Sequence, residues 1–455
     1  MLGDSRFAYG NLMYTLTAAS ITSDVLTLTA TNIGNNTTVQ PGLTVHVGGG
    51  ALCQYVRATV ATIGVPDANT ITCNVDYPPA GVLTGNIFSS GIGAIVRNAR
   101  LAGWDSYPAY LLAALSQPYE VTECYAWPGA KTQDVIQYQV PDAMSAGHDE
   151  YWILTGFNDY NTGGANLEAS QVWQKIRQLW LKLQGKRIRH FLEQPLSGAA
   201  ASATNLARQQ ALNALLIANA SAYGVTLFNV YTPLVDSATG QALAGMNRTD
   251  GIHPSPLGSL TGARALIAAH GFKAADATAI STNAGQLNSP VANPTFAGTL
   301  GASQLPTSWT QTVLGASIVS YALNAKADGT GNEFTHTVTA AASGNTARID
   351  SAAFAVTAGK RYRARMRISI TNGVGVDYPA VQAVNATGGT LLTSIAASNN
   401  TAGAGEFDGN HDLWVENDFV VPSGVTSMQL RGRVFFDAAG GATITYSDAY
   451  VEAIA

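Results

Sequence analysis

The chain is short of charge. Of its 455 residues, 12% are Asp, Glu, Lys or Arg, with a balance of -5 at pH 7, where about 25% charged is usual. Lys and Arg form no cluster interleaved with aromatics, so the electrostatic footprint of a nucleic-acid binder is missing. No apolar run approaches the ~20 residues of a membrane span, and no membrane insertion is expected. The three cysteines, Cys53, Cys73 and Cys124, are too few for a disulfide framework and lack metal-ligand spacing. Three buried thiols are expected, with a Cys53–Cys73 bridge as the alternative. The start, MLGDSRFAYG, has no basic segment followed by an apolar one, so no secretion signal is expected there.

What the chain has is Ala, Gly, Thr and Val, a composition that suits β-rich extracellular proteins. Its length predicts two to four domains. Residues 11–97 read as β-structure. Leu26, Leu28 and Ala30, then Leu43, Val45 and Val47, then Ile71, Cys73 and Val75 alternate with other residues at the period of half-buried strands. Gly34-Asn35-Asn36, Gly48-Gly49-Gly50 and two Pro-containing turns separate them.

Residues 98–285 change character. A helical stretch after Pro108 contains Tyr110, Leu111, Ala114 and Leu115; the strand-like VTECYAW and YWILTG follow. Trp173, Ile176, Trp180 and Leu183 then fall at helical spacing, one face toward a core. A strand at 187–192, a helix near 204–222, a strand at 225–230 and a helix after Pro254 complete the region. Strand alternating with helix predicts a parallel sheet covered on both faces. Residues 286–300, rich in Asn, Ser, Gly and Pro, read as a linker. From 301 to 455 short strands between turns predict a sandwich.

In a sheet of this kind the working residues sit where strands lead into helices. Gly3-Asp4-Ser5, Pro128-Gly129-Ala130, Gly156-Phe157-Asn158-Asp159 and Asp250-Gly251-Ile252-His253 occupy such points. Acyl transfer needs a serine, a base to take its proton, an acid to hold that base, and fixed donors for the oxyanion. Ser5, His253 and Asp250 can supply the first three. The backbone N–H groups of Ser5 and Gly129 and the amide of Asn158 can supply the donors. Each segment also has a plain structural reading: Gly-Asp-Ser and Gly-Phe-Asn-Asp are turn chemistry, Asp250 could cap a turn before Pro254, and any tight turn could need Gly129. Asp4 and Asp159 read as loop-shaping residues.

Taken in order, the four segments resemble the blocks of the SGNH (GDSL-like) hydrolase family. The resemblance covers residues 1–10 and about 98–275. It implies a flavodoxin-like three-layer α/β/α domain, ester hydrolysis, Ser5, Asp250 and His253 as catalytic residues, Ser5, Gly129 and Asn158 as the oxyanion hole, and neither metal nor organic cofactor. The segment Cys124–Gly129 departs from the family's Asn- and Gly-rich second block, and only Met1 and Leu2 precede Gly3. Either the chain was cut from a longer protein or its first strand is unusually short. Residues 11–97 stand where the family has a short connection, and are expected to form an inserted β domain near the active-site mouth.

Asn293-Pro294-Thr295-Phe296, then Leu305-Pro306-Thr307-Ser308-Trp309, resemble the opening of jelly-roll carbohydrate-binding modules, with Ala297 in place of an acidic residue. Phe419–Gly424 and Tyr446-Ser447-Asp448-Ala449 resemble their ending. Such modules sometimes hold a structural calcium. The fold class expected is therefore multidomain: an α/β hydrolase domain (1–10 and 98–285), an inserted β domain (11–97), a linker, and a β-sandwich (301–455). The combination resembles bacteriophage tail proteins. That resemblance implies an extracellular or virion-associated setting and a possible trimer.

Outside the four segments, His46 is expected to face outward on a strand, His148 to lie in a polar loop whose Asp149 and Glu150 only mimic a metal cluster, and His270 to end a helix as a cation suited to the dipole. Trp173 and Trp180 read as core. Trp127, beside Gly129, is a candidate pocket residue. The function expected is a carbohydrate O-acetyl esterase acting on a polysaccharide. The alternatives are a glycan-binding tail adhesin without turnover, or a lipase or thioesterase with the same triad.

Overall fold

The structure, a computed structural model, describes Leu2 and Gly3, most of 12–77, 85–86, 92–96, 124–271 and most of 291–454. The helical stretch expected after Pro108 lies outside these residues. The chain forms two compact units, residues 1–109 with 120–270, and 110–119 with 271–455.

The first unit contains two sheets. Strand β1 (Leu2–Gly3) is only two residues long. Strands β2 to β9 (Leu12–Thr15, Ala18–Thr22, Val25–Thr29, Thr44–Gly49, Val56–Ile63, Thr70–Tyr77, Gly85–Asn86, Ile92–Val96) form an antiparallel sheet in the order β2-β9-β5-β6-β7-β4-β3-β8. The alternation expected here holds for Leu26 and Leu28 on β4 and for Ile71 and Cys73 on β7, all buried. Cys73 and Cys124 are buried free thiols; Cys53 lies outside the described residues.

Strands β10 (Glu150–Leu154), β11 (Arg187–Phe191) and β12 (Val225–Phe228) join β1 in a parallel sheet of order β1-β10-β11-β12. Helix α1 spans 132–145 with a π-helical centre at Val135–Gln139. Helix α2 is the short Phe157–Tyr160, and α3 (Ala169–Lys182), α4 (Ala203–Asn219) and α5 (Pro256–His270) follow. The stripe Trp173, Ile176, Trp180 and Leu183 is buried as its spacing predicts. Trp180 Nε1 donates to His190 Nδ1 at 2.9 Å, setting α3 on one face of the sheet. His270 of α5 lies 4.9 Å from the Phe228 ring, and Phe228 points to the other face with Trp152 and Phe191. This is the three-layer α/β/α arrangement. The residues Cys124–Trp127, expected as the end of a strand, carry no strand pairing, although Cys124, Tyr125 and Ala126 are buried.

Two expectations about histidines are corrected. His46 does not face outward: it is 1% exposed and stacks on Tyr125 with ring centroids 6.0 Å apart. Its side of β5 is covered by the α/β part of the same unit, so alternation along β5 does not mark a solvent face. His270 does end α5, but burial and the nearby Arg189 push its pKa below the usual histidine value, which disfavours the cation that the helix dipole would suit.

The inserted sheet meets the α/β layers through Arg57, which lies 3.2 Å from the buried Asp142 and 3.4 Å from the Tyr125 hydroxyl. That hydroxyl is 3.1 Å from His148 Nε2. Asp142 stands ten residues into α1, ~15 Å along the helix, and His148 precedes β10. Those contacts therefore lie toward the N-terminal end of the sheet.

The second unit is an antiparallel sandwich of β13 (Trp309–Leu314), β14 (Ala316–Ala325), β15 (Asn332–Ala340), β16 (Thr346–Ser351), β17 (Phe354–Ala355), β18 (Arg361–Asn385), β19 (Leu391–Ala396), β20 (Gly409–Val420) and β21 (Ser427–Ile454). The long strands β18 and β21 pair with each other through four register shifts. Met366 on the first half of β18 presses against Gly432 on the first half of β21, so the two halves of this pairing face one another across the core. Part of the stretch expected as a linker is packed: Val291 and Phe296 are buried, Phe296 stacks 4.8 Å from Trp309, and Trp309 Nε1 donates to Asn293 O. Asp448, in the motif that resembles the ending of carbohydrate-binding modules, is held by Lys326 Nζ at 2.6 Å. Among the described residues no helix is long and apolar enough to cross a membrane.

Candidate active site

A parallel sheet sends every strand out at the same edge, and the loops there carry the candidate residues. After β10 the chain turns at Gly156 into α2, which holds Asn158 and Asp159. Asp159 is fully buried. One oxygen accepts from Thr132 N (2.7 Å) and Thr132 Oγ1 (2.8 Å); the other faces Lys175 Nζ at 3.0 Å. Its role is to tie the start of α1 to α2. Asn158 Nδ2 donates to Ala130 O at 3.0 Å. An amide carries two N–H bonds, so a second donor remains on that nitrogen.

Gly129 sits in the turn that Asn158 holds. Ala130 N donates to Trp127 O at 3.2 Å, with Pro128 and Gly129 at the centre. Gly129 has φ +78°, a value that suits glycine at the third position of a type II turn, and proline suits the second. The turn's own bond leaves the Gly129 N–H outside it. Trp127 is half-buried and packs against the α/β core.

The loop before α5 is built from its own hydrogen bonds. Arg248 N donates to His253 O at 2.9 Å and Gly251 N to Arg248 O at 2.9 Å. Asp250 Oδ1 accepts from Ile252 N (2.8 Å) and His253 N (2.9 Å), and Oδ2 lies 2.7 Å from His253 Nδ1. An ionised carboxylate can only accept, so Nδ1 carries a proton, and in the neutral ring Nε2 keeps its lone pair. Burial by itself would raise the Asp250 pKa. The bonds from the His253 ring and from the two backbone N–H groups outweigh it and hold the carboxyl at about 2. Gly251, at φ +70°, passes so close to Ser197 that a Cβ would stand 2.0 Å from its carbonyl oxygen. Ser255 Oγ accepts from Gly258 N at 2.9 Å and caps α5.

The sequence reading missed Glu193 and Gln194. They follow β11 as Gly156 follows β10, and that strand-end position was the available signal. Glu193 Oε2 accepts from Tyr160 OH at 3.2 Å, on the side of α2. Gln194 Nε2 donates to Ile252 O at 2.6 Å, on the side of the Asp250 loop. Asn247 Nδ2 adds bonds to Pro195 O (2.8 Å) and Gly251 O (3.1 Å). Two neighbouring residues thus hold the two loops to one strand end.

The structure pairs Asp250 with His253, and Asn158 with the turn of Gly129. Ser5, two positions beyond β1, lies outside the described residues, as does Asp4. Gly3 pairs with Leu154 at the end of β10. Among the described residues no group of three or more His, Cys, Asp or Glu could hold a metal ion.

Residues 85–259 match the profile of the GDSL-like lipase/acylhydrolase family, a span that contains Gly129, Asn158, Asp250 and His253 but not Ser5. The chain carries a GDSL-like acylhydrolase domain. No curated protein matches the chain. Among solved structures it is similar to a lipolytic G-D-S-L family member from Veillonella parvula (17% identity, 36% of this chain and 86% of that one, TM-score 0.30). It is also similar to a Geobacillus acetyl-xylooligosaccharide esterase (17%, 37% and 81%, TM-score 0.31). A third likeness is to the enzymatically active domain of tailspike protein 4 of bacteriophage CBA120 (15% identity, TM-score 0.25), where 36% of this chain spans 21% of that one.

Proposed function

We propose that the GDSL-like acylhydrolase domain is a carbohydrate O-acetyl esterase acting on a polysaccharide, with Ser5 as nucleophile. The observation that carries this reading is the Asp250–His253 pair, held at 2.7 Å on a loop at the working edge of the sheet. Ser5 Oγ attacks the ester carbonyl while His253 Nε2 takes its proton. Asp250, still ionised, steadies the imidazolium that results. The Ser5 N–H, the Gly129 N–H and the second N–H of Asn158 stabilise the oxyanion. The acetyl group leaves on Ser5, the sugar hydroxyl departs with the proton from His253, and water activated by His253 then releases acetate. Trp127 lines the sugar side of the pocket.

The choice of a polysaccharide is supported by the sandwich, where Asn293, Phe296 and Trp309 interact as parts of one motif similar to that of carbohydrate-binding modules. The test is acetate release from aryl acetates and from acetylated polysaccharide. The expected result is turnover of both, lowered about 10⁴-fold or more in Ser5→Ala. Full activity in Ser5→Ala would remove Ser5 from the reaction. Release from aryl acetates alone would remove the polysaccharide.

A further inference from the structure

On one face of the sandwich, arginine is set against arginine. Arg348 of β16 stands directly opposite Arg433 of β21, and the next rung on the same face pairs Asp350 with Arg431. Like charges opposed across an antiparallel pair destabilise it. Asp350 forms ion pairs with two of the three: Arg431 Nε lies 2.5 Å from one oxygen and Arg348 Nε 3.3 Å from the other. Arg433 has a different setting. Its Nη2 reaches Thr346 Oγ1 at 3.3 Å, while its Nε is buried without a hydrogen-bond partner. Burial, and then the charges of Arg431 and Arg348, push the Arg433 pKa down.

Aromatic rings adjoin this cation. The Arg433 guanidinium lies 4.0 Å from the centroid of Phe435, and Phe435 stacks on Tyr378 of β18 with centroids 4.3 Å apart. Tyr378, Phe435 and Arg433 therefore form one row that is apolar at one end and positive at the other. Asp377 and its neighbour Asp437 adjoin the aromatic end; burial and then Asp437 push Asp377 up to about 6.

We propose that this face binds a sugar that carries a carboxylate, with Arg433 taking the carboxylate and the Tyr378–Phe435 pair taking the apolar side of the sugar ring. A guanidinium fork matches a planar carboxylate, and aromatic surface beside it offers apolar area to the C–H face of a pyranose. The sugar class rests on the polysaccharide reading above; the anion site rests on the arginine register alone.

The test is titration calorimetry of the full chain with tetragalacturonate and tetraglucuronate. Neither carries an ester, so binding is read without turnover and its failure is separate from failure of the esterase reading. The expected result is binding of at least one, weakened roughly tenfold or more when the carboxylates are reduced to neutral alcohols, and weakened similarly in Arg433→Gln. Tyr378→Ala should weaken it several-fold. Aryl acetate turnover should be unchanged in both variants, and the melting temperature of Arg433→Gln should equal or exceed that of the parent, since a like-charge pair is removed. No binding, equal binding of acid and reduced forms, displacement by sulfate at matched charge, or a lower melting temperature for Arg433→Gln would overturn the proposal.

Discussion

At the edge of the parallel sheet, Asp250 and Asp159 each take three donors on two oxygens. On the sandwich face, two of three neighbouring guanidiniums pair with one carboxylate and the third does not. The contrast follows from the two kinds of sheet. Parallel strands end together in loops, where unpaired backbone N–H groups lie ready for a carboxylate. In an antiparallel sandwich the backbone is spent in the ladder, so polar side chains on a face find partners only among one another. The first region gives a fixed acid–base pair. The second leaves an unspent cation.

The largest expected effect breaks the fixed pair. Asp250→Asn keeps the shape of the side chain and removes the charge that Nδ1–H faces. An approximately 10⁴-fold loss of kcat on aryl acetates is expected, with little change in KM. Activity within tenfold of the parent would show that Asp250 is only a turn residue.

A second prediction concerns the sandwich core. Gln311 Nε2 lies 2.7 Å from His336 Nδ1; an amide N–H can only donate, so Nδ1 accepts and the ring is neutral. Burial pushes the His336 pKa from 6.5 down to about 3. Between those values the unfolded chain binds a proton that the folded one does not, so stability is lost as pH falls through this window. The loss is on the order of 5 kcal/mol by pH 3. His336→Phe should flatten the fall in chemical-denaturation curves taken from pH 7 to 4. An unchanged slope would show that other groups govern it. Asp250, held at about 2 against an ordinary value of 3.8, loses its contribution as pH falls between those values, so most of the His336 window lies above it.

The smallest effect tests the loop. Gly251→Ala must place a Cβ against the Ser197 carbonyl at a φ that alanine resists. A cost of about 3 kcal/mol to the first unit is expected, together with reduced turnover. A variant as stable and active as the parent would mean that the Asp250 loop is not held by that contact.

Much of the first unit was legible because its signals are local. The stripe of α3, the period of β4 and β7, and the three-residue step from Asp250 to His253 each depend on neighbours within one element or loop. Glu193 and Gln194 were not legible as loop anchors. They gain meaning only when α2 and the Asp250 loop fall on either side of β11. His46 was misread for a related reason: alternation gives two faces to a strand and does not tell which one a second layer will cover. The packing of Phe296 was hidden in a segment whose composition is that of a linker.

The sequence by itself determined the strands and helices, the order of the four segments, and the acid–histidine spacing, since these follow from periodicity and from chain neighbours. Only the tertiary structure decided that Arg57 of the inserted sheet meets Asp142, and that Arg348 faces Arg433. The latter two are 85 positions apart in the chain. Their pairing is set by strand register, which is fixed by the packing of whole sheets and leaves no mark at either residue.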